Sequence, residues 1–467
     1  MKNKKLLEKW NEYVGLFNGP MYLAIVEALA ASIRNGIIHG GERLPTQREI
    51  ASALETNLTT VTRAFREAHR RGLINATVGR GTFVRMGAEV SHWRSPKAAI
   101  VDMTMNLPPI PQNPPLQRIM QSDLAALLKK QDISNLMSYR VTGGTLEERQ
   151  HAVKWIEPVI GSRRPDDVLV VPGAQTALAA AMSILASPGD IILTDRITYS
   201  GIRTVADQLG IILVGVDGDE NGFIPEQLEM ACRQYQPKAL YCIPAIQNPT
   251  TVTMSLERRK DVLKIVHDNR LYVVEDDPYS LLHDNPVPAL AALDHGRVIY
   301  ISTLAKVLSP GLRTAYVALP NAEMTRRFAV AVRAFALTNA GLLSALTLRW
   351  MQTGQSKEIL GSIKQELRLR QSIARNILGD SHGMDPNGPH VWLKLPEWWS
   401  SVDFVSYARH RGIALVPSNV FTVDGDFPQR ARISLGSILD ISNLENSLHD
   451  IVTILSHKRA TDFLSIV

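Results

Sequence analysis

Between residues 168 and 319, seven short β-rich runs alternate with stretches of helical periodicity. The runs are Val168–Val171, Ile191–Leu193, Ile211–Val216, Ala239–Ile243, Leu271–Val274, Val298–Ile301 and Thr314–Leu319, with helices expected at Thr176–Leu185, Ser255–Asn269 and Glu323–Ala336. Alternation of this length argues for an α/β domain with a mostly parallel sheet, whose ligand sits at the carboxyl ends of the strands. Three polar residues stand just past such ends. Asn248 follows Tyr241-Cys242-Ile243-Pro244, Asp276 follows Tyr272-Val273-Val274, and Lys306 follows Ile299-Tyr300-Ile301. Singly each has an ordinary explanation: Asn-Pro marks turns, paired acids cap helices, and lysine covers surfaces.

Together they fit one chemistry. A lysine amine condenses with an aldehyde cofactor, and pyridoxal phosphate needs a carboxylate beside its pyridinium nitrogen to withdraw electrons. Asn248 precedes Asp276 by 28 residues, Lys306 follows 30 later and Arg313 another 7 on. This order resembles the class I/II aminotransferases of fold type I, over about residues 105–467. The resemblance implies a pyridoxal phosphate cofactor, with Lys306 as the aldimine lysine and Asp276 the partner of the ring nitrogen. Asn248 and Tyr279 would bond the phenolic oxygen, and Tyr199 would stack on the ring. The Gly173-Ala174-Gln175 turn and the helix start after it would hold phosphate through free N–H groups, helped by Thr303 and Arg313. Tyr139, before Gly143-Gly144, resembles the tyrosine that reaches the neighbouring subunit's phosphate. Arg432 matches the arginine that clamps a substrate carboxylate, with Arg430 its bland neighbour. The chain departs from the family at Thr251, where glycine is common, and at Ala174 and Ala305, where hydroxyl residues are usual.

The first fifth of the chain has another character. Of 51 Lys/Arg and 45 Asp/Glu, residues 1–90 hold thirteen and eight, the acids all Glu, leaving a nearly balanced 38 and 37 for the rest. Almost all of the net charge of +6 therefore sits in this segment, the footprint of a polyanion-binding surface. Ile25, Leu29 and Ile33 mark one face of a helix over Tyr22–Asn35. Thr46 and Glu49 form a capping-box pattern opening a second helix. A third runs from about Thr59 to Arg71, and a hairpin follows around Gly79-Arg80-Gly81. Such a unit is a winged helix-turn-helix, which lays its third helix in the major groove. Residues 20–85 resemble the DNA-binding domain of the GntR regulators, through Gly41-Glu42-Arg43-Leu44-Pro45-Thr46-Gln47-Arg48-Glu49, Thr59-Thr60-Val61 and Gly79-Arg80-Gly81-Thr82-Phe83-Val84. The resemblance implies DNA contacts from Arg48, Thr59 and Thr60, with Arg80 and Gly81 as the wing. Leu58 and Thr62 stand where arginines are frequent, and neither side chain makes the bidentate guanine contact; Arg63 and Arg66 are placed to compensate.

Rival sites lack their patterns: no Gly-x-Gly-x-x-Gly, no phosphate loop and no His-Glu-x-x-His occurs. Cys232 and Cys242 are too few for a disulfide framework. There is no run of 18 apolar residues and no secretory leader pattern, so a cytoplasmic protein away from membranes is expected. The expected organisation is a winged helix-turn-helix head over 1–85, a linker over 86–106 and an aminotransferase-like body over 107–467. The body is expected as a large mostly parallel α/β domain with a small C-terminal α+β subdomain. That arrangement resembles the MocR subfamily of GntR regulators. It implies a head-to-tail homodimer binding double-stranded DNA at repeated half-sites and sensing pyridoxal phosphate, an amino compound, or both through Lys306. The competing expectations are a working aminotransferase with an appended DNA-binding domain, and a repressor whose body has lost its cofactor.

Overall fold

The computed structural model describes residues 7, 10, 11, 14, 20–34, 37, 38, 41–70, 73–77, 81–84, 100–111, 115–130, 132–140 and 142–457. They divide into two compact units, Met1–Ala99 and Ile100–Val467.

The first unit contains α1 (Met21–Arg34), α2 (Gln47–Ala53) and α3 (Leu58–Arg70), followed by the antiparallel strands β1 (Ile74–Thr77) and β2 (Gly81–Val84). Thr46 and Glu49 do form a reciprocal capping box at the start of α2. Ile25, Leu29, Ile50, Val61, Phe65 and Ala68 close one core, to which Trp10 adds a fully buried ring. The indole N–H of Trp10 donates to Ser32 Oγ at 2.8 Å, so its one polar atom is satisfied inside that core.

In the second unit a seven-stranded sheet is built from β4 (Val168–Val171), β5 (Ile191–Asp195), β6 (Ile212–Val216), β7 (Ala239–Cys242), β8 (Tyr272–Asp277), β9 (Val298–Thr303) and β10 (Ala315–Ala318). Their spatial order is β4-β10-β9-β8-β7-β5-β6. β10 runs antiparallel to both neighbours and the other pairings are parallel, matching the expected mostly parallel sheet. Side chains along each strand alternate between two buried faces. Val168, Val170, Leu193, Leu240 and Val273 face one core with α4 (Leu146–Ile160) and α7 (Leu256–Asp268). Leu169, Val171, Ile192, Tyr241 and Val274 face the other, with α5 (Ala174–Leu185), α6 (Ser200–Leu209) and α8 (Ala322–Ala336). Both faces are covered, which is why these strands read as continuous apolar runs.

A smaller sheet, in the order β11 (Gly383–Met384), β12 (His390–Lys394), β15 (Arg430–Ser434), β14 (Val416–Pro417), packs with α9 (Gln355–Leu378) and α10 (Ile441–Ser456) around Phe404, Leu435 and Leu448. The second unit begins at Ile100, inside the stretch expected to be linker. The cause is local pairing: β3 (Val101–Asp102) lies parallel to β13 (Ile413–Ala414), and Met103 is wholly buried in the small-domain core.

Candidate functional site

The ends of β7, β8 and β9 deliver the expected polar residues to one place. In the acidic run at the end of β8, strand alternation separates the three side chains. Glu275 accepts the main-chain N–H groups of Leu290 and Ala291 at 2.9 and 2.8 Å, and Asp277 accepts the Tyr300 hydroxyl at 2.7 Å. Both face the α4 and α7 side and do structural work. Asp276 points the other way, accepts the Tyr241 hydroxyl at 2.9 Å, and is pushed up to about 7, by burial first and then by Asp277, against the pull of Tyr241 and Lys306.

Lys306 follows β9 and donates from Nζ to the main-chain carbonyl of Asn106 at 2.5 Å. Burial, and next the nearby charge of Arg432, hold its amine down at about 8, with Asp276 opposing. Arg432, on β15, donates from Nη1 to Asn248 Oδ1 at 2.8 Å and from Nη2 to the Thr104 carbonyl at 2.5 Å, with its guanidinium 4.9 Å from the centre of the Phe421 ring. Its buried Nε has no partner among the described residues. Tyr279 is buried, and its hydroxyl accepts from Asn106 Nδ2 at 2.8 Å; burial raises its pKa, as it does that of Tyr199.

At the other end, Gly173 caps α5 with φ 96° and no side chain, leaving the first N–H groups of a 12-residue helix, at Ala174 and Gln175, outside the helical ladder. Arg313 presses its guanidinium on this turn: a Cβ on Gly173 would lie 3.2 Å from Nη2. Thr303 Oγ1 accepts from Ala305 N at 3.2 Å, which fixes the start of the turn to Lys306. Gln175 braces the start of α6, donating to the Gly201 carbonyl at 2.9 Å and accepting from the Tyr199 hydroxyl at 3.3 Å. Gly201 is what lets the Tyr199 ring lie there, since a Cβ would collide with it.

The chemistry of this set suits pyridoxal phosphate. It offers a helix start and Arg313 for an anion, a buried carboxylate for a cationic ring nitrogen, Tyr199 for the ring and a depressed lysine amine for an aldehyde. A second anion matches the unfilled Nε of Arg432. The residues present fit. Tyr139 is not brought to this group; it is 85% exposed.

Several residues of the site escaped the sequence reading: Asn106, Thr104, Tyr241 and His390. Asn106 Nδ2 lies 3.1 Å from His390 Nδ1, and His390 is wholly buried. Burial and then Arg432 push the imidazole down to about 3, so the ring is neutral. Nδ1 must accept from the Asn106 amide, which puts the proton on Nε2.

In the first unit, Arg48 is exposed beside the capped start of α2, and Thr59 and Arg63 are exposed on α3 with Thr60 half-buried. Thr62 is half-buried, and its hydroxyl hydrogen is shared between Gln47 Oε1 at 2.8 Å and the Leu58 carbonyl at 2.9 Å, tying α3 to α2. Arg63 lies 4.0 Å over the Tyr22 ring, which holds its guanidinium at the surface. Gly81 opens β2 with φ 109° and packs on Arg43. Arg80 lies outside the described residues.

Residues 21–84 match the family of bacterial regulatory proteins named gntR, and residues 98–451 match aminotransferase class I and II. The HTH-type transcriptional regulator YdeF of Bacillus subtilis is 34% identical over 444 residues, covering 94% of this chain and 95% of its own. The chain belongs to the MocR-type GntR regulators. Within that family its head is a DNA-binding domain and its body has the aminotransferase fold. The 2-aminoadipate transaminase of Thermus thermophilus is 27% identical over 71% of this chain and 84% of its own. Among solved structures, the α-aminoadipate aminotransferase of Thermus thermophilus in complex with N-(5'-phosphopyridoxyl)-L-leucine superposes with a TM-score of 0.70 at 25% identity, over 76% of this chain and 92% of that one. Kynurenine aminotransferase of Pyrococcus horikoshii gives 0.71 at 23%, over 78% and 92%. No helix among the described residues is long and apolar enough to cross a membrane.

Proposed function

We propose that this MocR-type regulator is a pyridoxal-phosphate-dependent transcriptional switch, in which the body takes up the cofactor at Lys306 and an amino compound bearing a carboxylate sets DNA binding by the head. The observation that carries the reading is the convergence of Lys306, Asp276, Tyr279, Asn248 and Arg432 on one buried site joined to a GntR domain. Bound there, pyridoxal phosphate supplies an aldehyde that exchanges amines and a ring that withdraws electrons. The chain's own residues do the rest. Gly173, Ala174, Gln175 and Arg313 hold the phosphate, with Thr303 setting the turn. Asp276 keeps the ring nitrogen protonated, Tyr199 covers one face, and Asn248 and Tyr279 hold the phenolic oxygen. Lys306 presents an amine with a depressed proton affinity. Arg432 receives the effector's carboxylate.

The exposed Tyr139 fits a role completed by a second copy, reaching that copy's phosphate in a head-to-tail homodimer. Paired heads then read repeated half-sites in double-stranded DNA, through Arg48, Thr59, Thr60, Arg63 and the wing at Arg80 and Gly81. A cytoplasmic protein follows from that target.

The test uses the full-length protein. Addition of pyridoxal phosphate should give a visible absorbance band that Lys306→Ala abolishes, and amino acids added to the loaded protein should shift both the band and the affinity for DNA upstream of its own gene. A colourless wild type would refute the cofactor reading. Steady turnover of an amino donor and a keto acid at about 1–1000 per second, with DNA binding indifferent to ligand, would instead favour the enzyme.

A further inference from the structure

Lys306 and Arg432 reach the site from different elements, one past β9 and the other on β15, yet both donate to one short piece of main chain. Lys306 Nζ holds the Asn106 carbonyl and Arg432 Nη2 the Thr104 carbonyl, each at 2.5 Å. The same piece is fastened to the small domain. Val101 N donates to Gly412 O at 2.9 Å, Met103 N to Ala414 O at 3.0 Å, and Ser434 N to Met103 O at 3.0 Å. The Asn106 side chain adds a lock, with one N–H to the Tyr279 hydroxyl and the other to His390 Nδ1, both partners buried. In the chain, this piece is the start of the body, directly after the unit that carries the DNA-binding domain.

These contacts depend on what Lys306 and Arg432 hold. When the amine condenses with an aldehyde, nitrogen forms a double bond to the aldehyde carbon, and its two hydrogens leave with the aldehyde oxygen as water. The unprotonated nitrogen then has no N–H for the Asn106 carbonyl. A carboxylate drawn to the unfilled Nε of Arg432 also meets the adjoining Nη2, and there competes with the Thr104 carbonyl. A backbone carbonyl cannot donate in return, so each exchange releases the segment.

We propose that Thr104–Asn106 is the element by which the body's ligand state reaches the linker, the Asn106 carbonyl sensing Lys306 and the Thr104 carbonyl sensing Arg432, with His390 holding Asn106 in register. Such coupling requires a segment whose contacts differ between liganded states, and this one touches both groups that change. The proposal rests on the pyridoxal reading above.

The test compares full-length wild type without and with pyridoxal phosphate by amide hydrogen exchange, alongside DNA affinity. Loading should speed exchange at Met103 and Ser434 about tenfold or more, the scale of one lost hydrogen bond to a charged donor, and should shift DNA affinity. Lys306→Ala should exchange at the fast rate with or without the cofactor. Asn106→Ala, compared at cofactor concentrations that bring it to full colour, should exchange fast in both states and lose the DNA response. His390→Asn, which keeps an acceptor near the Nδ1 position, should preserve the response that His390→Ala removes. If wild type colours but its Met103 and Ser434 rates or its DNA affinity stay unchanged, the proposal is overturned. The same holds if Lys306→Ala exchanges as slowly as unloaded wild type, or if Asn106→Ala retains the DNA response. A wild type that never colours instead refutes the cofactor reading itself.

Discussion

The depressed amine of Lys306 gives a quantitative expectation for how the cofactor attaches. Only the neutral amine attacks an aldehyde, and burial together with Arg432 brings this lysine from its usual 10.5 to about 8. At neutral pH the neutral fraction is then roughly a tenth, against about one part in 3,000 for an ordinary lysine, an advantage of about 300-fold. The assay follows absorbance as unloaded protein is mixed with pyridoxal phosphate from about pH 6 to 11. Dividing each rate by that of Nα-acetyl-lysine removes the reagent's own titration. The ratio should be flat below about pH 8 and fall through the window from 8 to 10.5. Arg432→Gln removes a positive neighbour, so its inflection should move up; Asp276→Asn removes a negative one, so its inflection should move down. The sign for stability follows too. A folded-state value below the unfolded one means the protonated amine opposes folding at low pH, and that cost is relieved as pH rises from about 8 toward 10.5. A ratio that stays flat to pH 10 would show an ordinary lysine and refute the argument from burial.

Gly173→Ala places a Cβ 3.2 Å from Arg313 Nη2 at φ 96°. Affinity for pyridoxal phosphate, read by titrating the visible band, should fall at least about tenfold, on the scale of 1–3 kcal/mol of backbone strain; unchanged affinity would remove this turn from the phosphate site. Thr251 holds a β-branched side chain at φ 67° where a glycine would be relaxed. Thr251→Gly should therefore raise stability by about 1 kcal/mol, seen as a higher Tm, and a lower Tm would contradict the strain. Removing the cap with Thr46→Ala should cost the head about 1 kcal/mol in denaturant unfolding, and no loss would make the capping box incidental. DNA affinity should fall steeply between 50 and 200 mM salt if the basic head neutralises phosphates, and a flat salt response would argue against it.

What the sequence disclosed and what it hid divide along a physical line. The seven sheet strands were legible because a sheet covered on both faces turns each strand into an apolar run, and their ends mark where Asn248, Asp276 and Lys306 must stand. Within Glu275-Asp276-Asp277 the resemblance points to Asp276, and strand alternation sends its two neighbours to the opposite face. The capping box at Thr46 and Glu49 was legible for a similar reason, since both partners lie within one turn. Asn106 was not. It lies in a stretch without periodicity, 200 positions from Lys306, and what it offers the lysine is a main-chain carbonyl, which every residue type carries. Tyr241 and His390 were hidden differently, as buried members of apolar strands whose polar atoms acquire meaning only through a neighbouring strand or segment. The residues that perform chemistry are chosen for their side chains and so leave a mark in composition and spacing. Those that report on that chemistry through their backbone leave none, and Thr104–Asn106 is where the two kinds meet.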